Sequence, residues 1–144
     1  MGRIVKISAS AYKVMLEHAR STYPDECCGG VLGQSTANHV TVVSSYPCQN
    51  TFNGPKDQGC SVGSREVVEA ERHAAALGLD VVGWYHSRPN RGAYVSAKDH
   101  SHAWPWYSYI VISVREGEVD EVCCYQFQGA GLLWEKEELS VGES

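Results

Sequence analysis

The sequence contains no apolar stretch of the roughly 20 residues that a membrane-spanning helix requires. Its first residues, Met1-Gly2-Arg3-Ile4-Val5, lack the apolar core of a signal peptide. Lys6 stands where a myristoylation site would need Ser or Thr. There is no block of Lys or Arg to track a phosphate backbone, and the net charge is −5, which argues against nucleic acid as a partner. There is no internal repeat and no low-complexity segment. Cysteine is present six times, yet no C-x-x-C spacing occurs. In the adjacent pairs Cys27-Cys28 and Cys123-Cys124, neighbours on a strand would point to opposite faces and could not chelate one ion. These absences predict a cytoplasmic protein whose cysteines are small buried hydrophobes in a reducing compartment, rather than a redox or disulfide protein. The 144 residues suffice for one core, expected over 1–140, with 141–144 as a disordered tail.

What is present reads as a mixed succession of elements. Arg3 to Ser8 alternates as a short strand. Ser8 or Ser10 caps a helix through Arg20, with Ala11, Val14, Met15, His18 and Ala19 on its core-facing stripe. His18 is read as a packing histidine. Tyr23-Pro24-Asp25 ends that helix. Glu26 to Gly33 is a glycine-containing strand with a carboxylate at its start. Asn38 to Tyr46 pairs with it. A long loop follows over 47–63, with a short strand expected at Cys60-Ser61-Val62. Ser64 is read as the N-cap of a helix that stops at Gly78. Leu79 to Tyr85 is an apolar central strand, Ser96 to Ala103 a short helix, and Tyr107 to Val114 a strand. Arg115-Glu116-Gly117-Glu118 forms a hairpin turn into a strand over Val119 to Phe127, and Leu132 to Leu139 is the last strand. The order predicts an α+β fold or a three-layer α/β/α sandwich.

Polar, metal-capable groups gather where the central strand ends. Val82-Gly83-Trp84-Tyr85 runs into His86-Ser87-Arg88-Pro89, and Ser96 and Asp99 follow. A catalytic zinc needs three protein ligands and one open position. His86 and Asp99 could supply two. The third would come from position 88, which shares a face with His86 on extended backbone. Position 88 is Arg88, a cation that donates only and cannot ligate zinc. From residue types alone, the site is one ligand short.

Glu26-x-Cys28-Gly29, His86-Ser87-x-Pro89, Ser96-x-x-Asp99 and Trp104-Pro105-x-Tyr107-Ser108-Tyr109 together resemble the JAMM (MPN+) metallopeptidase family, most closely its small prokaryotic branch. The resemblance implies an MPN/JAB, cytidine-deaminase-like domain with a mixed central sheet. It implies that His86 and Asp99 bind Zn²⁺, that Glu26 is general base and acid, and that Ser96 hydrogen-bonds the oxyanion. Ser96 also suits the N-cap of the helix holding Asp99. The implied activity is hydrolysis of an amide or isopeptide bond at the C-terminus of a ubiquitin-like protein or sulfur carrier ending in Gly-Gly. The loop 47–63 and the strand at Cys60–Val62 would receive that tail as an added strand.

Arg88 departs from the family pattern, which has its second zinc histidine there. Three accounts follow. The chain is a natural or engineered variant with an impaired site; or His100 or His102 substitutes, His102 sharing a helix face with Asp99; or Arg88 takes the cation's place and pairs with Asp99 or Glu26. The third account leaves a metal-free, non-catalytic MPN-type module that binds a ubiquitin-like protein.

Overall fold

A computed structural model describes residues 2–95, 104–128 and 134–142. Its elements are β1 (Ile4–Ile7), α1 (Ala9–Thr22), β2 (Cys28–Ser35), β3 (His39–Cys48), α2 (Ser64–Ala76), β4 (Asp80–Pro89), β5 (Ser108–Arg115), β6 (Glu118–Phe127) and β7 (Trp134–Val141). The helix expected over 96–103, with Ser96, Asp99, His100 and His102, lies outside the described residues.

Two local signals set α1 and α2. Ser8 caps α1, its Oγ accepting from the Ala11 amide at 3.2 Å. Ala11, Met15 and Ala19 go into the core, whereas Val14, expected on the same stripe, is 41% exposed. The angular step from Ala11 and Met15 carries it to the edge of the buried sector. α2 begins at Ser64 itself, and the N-cap is Gly63, without a side-chain bond. Its other end is as expected. Gly78 takes φ +72°, the Gly78 amide donates to Ala75 O, and the Leu79 amide reaches back to Ala74 O. This pair of bonds is the Schellman closure, which needs a left-handed residue where Gly alone pays little.

The strands run β1-β3-β2-β4-β5-β6-β7 and close, with β1 parallel to both β3 and β7. The expected sandwich is therefore corrected to a closed mixed sheet that carries two helices among the described residues. Closure follows from the short β1, which pairs Ile7 with both Val42 and Val141. The tail expected from Val141 is corrected at its first two residues: Val141 is paired, and the Gly142 amide donates to Ile7 O at 2.9 Å.

Alternation sorts the two faces. Val31, Val42, Tyr85, Ile110 and Ile112 enter one cluster with Ala11, Met15 and Ala19 of α1. Gly30 and Trp84 point the other way, towards Ala70 of α2. Two glycines are required by close strand contact. A Cβ on Gly33 would strike the Thr41 carbonyl, and one on Gly83 the Ser108 carbonyl. One end of the closed sheet is fastened by a buried ion pair. Arg3 Nε donates to Glu137 Oε2 at 2.8 Å, its Nη2 reaches Trp106 O and Ser108 Oγ, and Cys124 Sγ donates to Glu137 Oε1. Burial and the Glu137 carboxylate both push the Cys124 thiol well up.

The central strand is longer than expected. It continues through His86 to Pro89 because β5 accompanies it in parallel, Ser87 opposite Ile112 and Pro89 opposite Val114. His86 and Arg88 are thus strand residues. The stretch Cys60–Val62 is not a strand. Its Ser61 amide donates to Asn50 Oδ1, and its Ser61 carbonyl accepts from both Thr51 N and Thr51 Oγ1. Those groups of Ser61 are spent inside the loop. The six cysteines are not all thiols: Cys28 and Cys60 form a disulfide, with Cα atoms 6.3 Å apart. Cys27, Cys48, Cys123 and Cys124 are free and buried, in keeping with their expected role as small hydrophobes.

Candidate functional site

On β4, Tyr85 and Ser87 face the core while Trp84, His86 and Arg88 face the α2 side. Ser87 locks the junction with β2. Its amide donates to Cys27 O at 3.1 Å, and its Oγ accepts from the Cys27 amide at 2.8 Å. With Cys28 opposite His86, this pairing carries Glu26 to the level of Arg88, across the strand gap. The sequence reading therefore brought Glu26, His86 and Arg88 to one place. Glu26 is 4% and Arg88 5% exposed.

These residues line a cleft of about 1220 Å³. One wall is the loop 49–63, and the others come from α2, the start of the loop after β4, and aromatic side chains that include Trp84, Trp104, Tyr107 and Tyr109. Asn50 organises the loop wall. Its Nδ2 donates to Glu26 O and Gly59 O at 3.1 and 2.9 Å, and its Oδ1 accepts from Phe52 N and Ser61 N. The Glu26 amide donates to Lys56 O at 2.8 Å. The disulfide from Cys28 to Cys60 ties the same wall to β2.

The loop after β4 is equally fixed. Asn90 adopts φ 57°, a left-handed conformation that Asn tolerates. Its amide donates to Val114 O, and its Oδ1 accepts from Tyr23 OH and Glu116 N. Ser113 Oγ donates to Arg91 O, and Tyr125 OH donates to Ala93 O. These bonds set Arg91 at the cleft and Tyr94 against Arg88. Arg91 Nη2 lies 2.9 Å from Glu26 Oε2 and 3.2 Å from Asp57 O. The Arg88 guanidinium carbon lies 4.4 Å from the centroid of the Tyr94 ring, a cation–π contact.

Among the described residues, the ion pair of Glu26 is made by Arg91; the alternative expected partner of Arg88, Asp99, lies outside the described residues. The sequence reading treated Arg91 only as a loop residue, although a second arginine three positions after Arg88 was a signal that the loop brings charge back to the strand end. Asn50 was likewise read as a loop marker, and its four bonds had no sequence signature. Three thiols near or behind the site are unreactive as nucleophiles. Burial holds Cys27 up at about 11 and Cys48 up at about 12, with Glu66 adding to the latter, and Cys124 is raised as described.

The donor set was tested against zinc. His86 offers an imidazole, but position 88 presents a buried guanidinium, which only donates. Among the described residues, no group of three His, Cys, Asp or Glu side chains is gathered for a metal. The described residues do not fit a three-ligand zinc.

Comparison with known proteins places this geometry. Residues 8–125 match the family of prokaryotic homologs of the JAB domain, and the chain belongs to that family. It is 32% identical over 114 residues to a desampylase of Haloferax volcanii, covering 76% of this chain and 80% of that protein. It is 29% identical over 134 residues to COP9 signalosome complex subunit 5 of Drosophila melanogaster, covering 86% of this chain but 41% of the relative. A protein of Desulfitobacterium hafniense solved in solution superposes with a TM-score of 0.83 at 27% identity, over 97% of this chain and 94% of that one. These relatives bear out the MPN/JAB resemblance. Among the described residues, no helix is long and apolar enough to cross a membrane.

Proposed function

We propose that this chain, as one cytoplasmic domain, binds the Gly-Gly tail of a ubiquitin-like or sulfur-carrier protein without a catalytic zinc. The observation that carries this reading is the buried guanidinium of Arg88 on the same strand as His86, its central carbon 4.4 Å from the centroid of the Tyr94 ring, where the family pattern places a zinc histidine. The cleft bounded by loop 49–63 has a volume of about 1220 Å³, and its aromatic lining suits a peptide. The tail lies along the cleft against side chains, since Ser61 is committed within the loop. The similarity to a desampylase and to COP9 signalosome complex subunit 5 supports a ubiquitin-like partner.

A second reading is favoured by Glu26 and His86, which stand together in the cleft. It is the family's hydrolysis of an amide or isopeptide bond, impaired by Arg88. There His86 and Asp99 would hold Zn²⁺, which would supply an activated water. Glu26 would move protons, and Ser96 would hydrogen-bond the oxyanion. Incubating the protein with a ubiquitin-like protein joined through Gly-Gly to an amine separates the two. The binding reading predicts a saturable complex and no cleavage. Cleavage that disappears in Glu26→Gln would establish the hydrolytic reading instead.

A further inference from the structure

One wall of the cleft is fastened by a bond that chemistry can undo. Cys28 and Cys60 both line the cleft, and their disulfide joins β2 to the far part of loop 49–63. All six cysteines lie in described residues and the other four are free, so this bridge is the chain's one disulfide. Cys60 is half-buried while Cys28 is only 4% exposed, so an incoming sulfur nucleophile meets Cys60 first. The free thiols do not compete for the bridge. Cys27, next to Cys28, belongs to the core cluster on the opposite face. Burial keeps Cys27, Cys48 and Cys124 as thiols rather than thiolates. In the cytoplasm proposed above, disulfides are kept reduced except where they are exchanged in function.

Sheet and loop depend on the bridge to different degrees. β2 is paired along both edges, with Cys28 opposite Cys48 of β3 and His86 of β4. Loop 49–63 is joined to the body by hydrogen bonds from Glu26 N to Lys56 O, from Asn50 Nδ2 to Glu26 O and from Arg91 Nη2 to Asp57 O. These hold its first part and its tip. Ser61, beside Cys60, bonds back onto Asn50 and Thr51 of the same loop. We propose that Cys28–Cys60 is a thiol-exchange site opening on the cleft, at which a dithiol reductant releases loop 49–63 from β2 and loosens the cleft wall while the sheet stays closed. A thiolate of the reductant attacks Cys60 Sγ and forms a mixed disulfide as the bond to Cys28 breaks. Cys28 Sγ leaves with the electron pair and takes a proton. The second thiol of the reductant then displaces Cys60, which is protonated in turn. The reductant ends as its own disulfide, having given up two electrons and two protons. The effect on a bound tail rests on the tail-binding reading above; the exchange and the loosening do not.

In the test, the full chain is oxidised with oxidised glutathione, and a portion is then treated with dithiothreitol without denaturant. Each form is followed by hydrogen–deuterium exchange, and its thiols are counted after denaturation. The count is expected to rise from four to six on reduction. Exchange in peptides spanning 49–63 should quicken about tenfold, while those of β2 and β4 keep their rates. Cys60→Ser should exchange like the reduced form and ignore the reductant. Six thiols after oxidised glutathione, or four after dithiothreitol, overturn the exchange site. Unchanged loop exchange in the reduced form overturns the loosening. Faster exchange throughout β2 and β4 makes the bridge a staple of the whole fold and overturns the switch. Calorimetric titration with a ubiquitin-like protein ending in Gly-Gly should then show a Kd about threefold higher for the reduced form. Equal affinity of the two forms overturns control of the tail. If neither form binds, the tail-binding reading fails, and the thiol counts and exchange rates decide the exchange site without it.

Discussion

A side chain at the end of β4 can complete a zinc site or replace it, and position 88 has a residue that can only replace it. Arg88→His restores an imidazole on the face that already carries His86. Added zinc is expected to raise the melting temperature of this variant and to leave the unaltered chain unmoved, as differential scanning fluorimetry would read. A metal binding only the folded state at 100 times its Kd would contribute about 2.7 kcal/mol. His18 gives a second prediction at this scale. Its Nδ1 lies 2.7 Å from Tyr85 OH, and burial lowers its pKa while raising that of Tyr85. The neutral imidazole is therefore favoured in the fold. Its contribution is fully present above the ordinary histidine value of about 6.5 and is lost as pH falls through the lowered folded value. Urea midpoints at pH 7.5 and pH 5 should drop further for the natural chain than for His18→Gln, and equal drops would contradict the assignment. The packing role of His18 was legible in the sequence from helical spacing. The ion pair between Arg91 and Glu26 was not, because it joins residues 65 apart through a loop whose path no periodicity encodes.

At the scale of elements, local chemistry set the ends that the sequence made readable. Ser8 caps α1, and Gly78 closes α2. Gly78→Ala would place a Cβ in left-handed backbone, costing about 1–2 kcal/mol, measurable as a shift in denaturant midpoint. The far end of β4 was less readable. His86-Ser87-Arg88-Pro89 lacks the apolar run that marks a buried strand, and it is held extended by β5 alongside. Tertiary pairing overrode local pattern there. The loop 49–63 was likewise opaque, since its order comes from side-chain bonds centred on Asn50 and from the Cys28–Cys60 disulfide, which no periodicity encodes. Asn50→Ala would strip partners from the Phe52 and Ser61 amides and from two carbonyls. These donors are exposed or half-buried and can turn to water, so each lost bond costs about 0.5–1.5 kcal/mol. The expected result is weaker tail binding with modest loss of global stability, because the wall of the cleft loosens before the sheet does. Unchanged tail affinity in Asn50→Ala would separate the loop from the binding surface.

For the molecule as a whole, closure of the sheet depends on contacts between its two termini. Arg3 and Glu137 are 134 residues apart, and their buried pair joins β7 to the residue ahead of β1. No sequence pattern announces such a pair, which is why a three-layer sandwich was expected where a closed mixed sheet is found. Glu137→Ala leaves the buried Arg3 charge without its counter-ion, with only Trp106 O and Ser108 Oγ as partners, and breaking a buried pair in this way costs roughly 3–5 kcal/mol. Arg3→Met with Glu137→Leu should recover much of that loss, since both charges are then removed. The disulfide gives a further count. Denatured, unreduced protein should titrate four thiols, those of Cys27, Cys48, Cys123 and Cys124. Six would show that Cys28 and Cys60 are reduced in the purified chain.

The family frame was legible because its motif is spread over fixed spacings in the sequence, and the chain does belong to that family. What Arg88 does to that frame is the central claim, and one measurement addresses it directly. Protein purified without added zinc and without chelator is analysed for metal by inductively coupled plasma mass spectrometry, alongside a circular dichroism spectrum. The account predicts a folded protein with no bound zinc. One zinc ion per chain would contradict it, since a buried guanidinium at position 88 and a third zinc ligand at position 88 exclude each other.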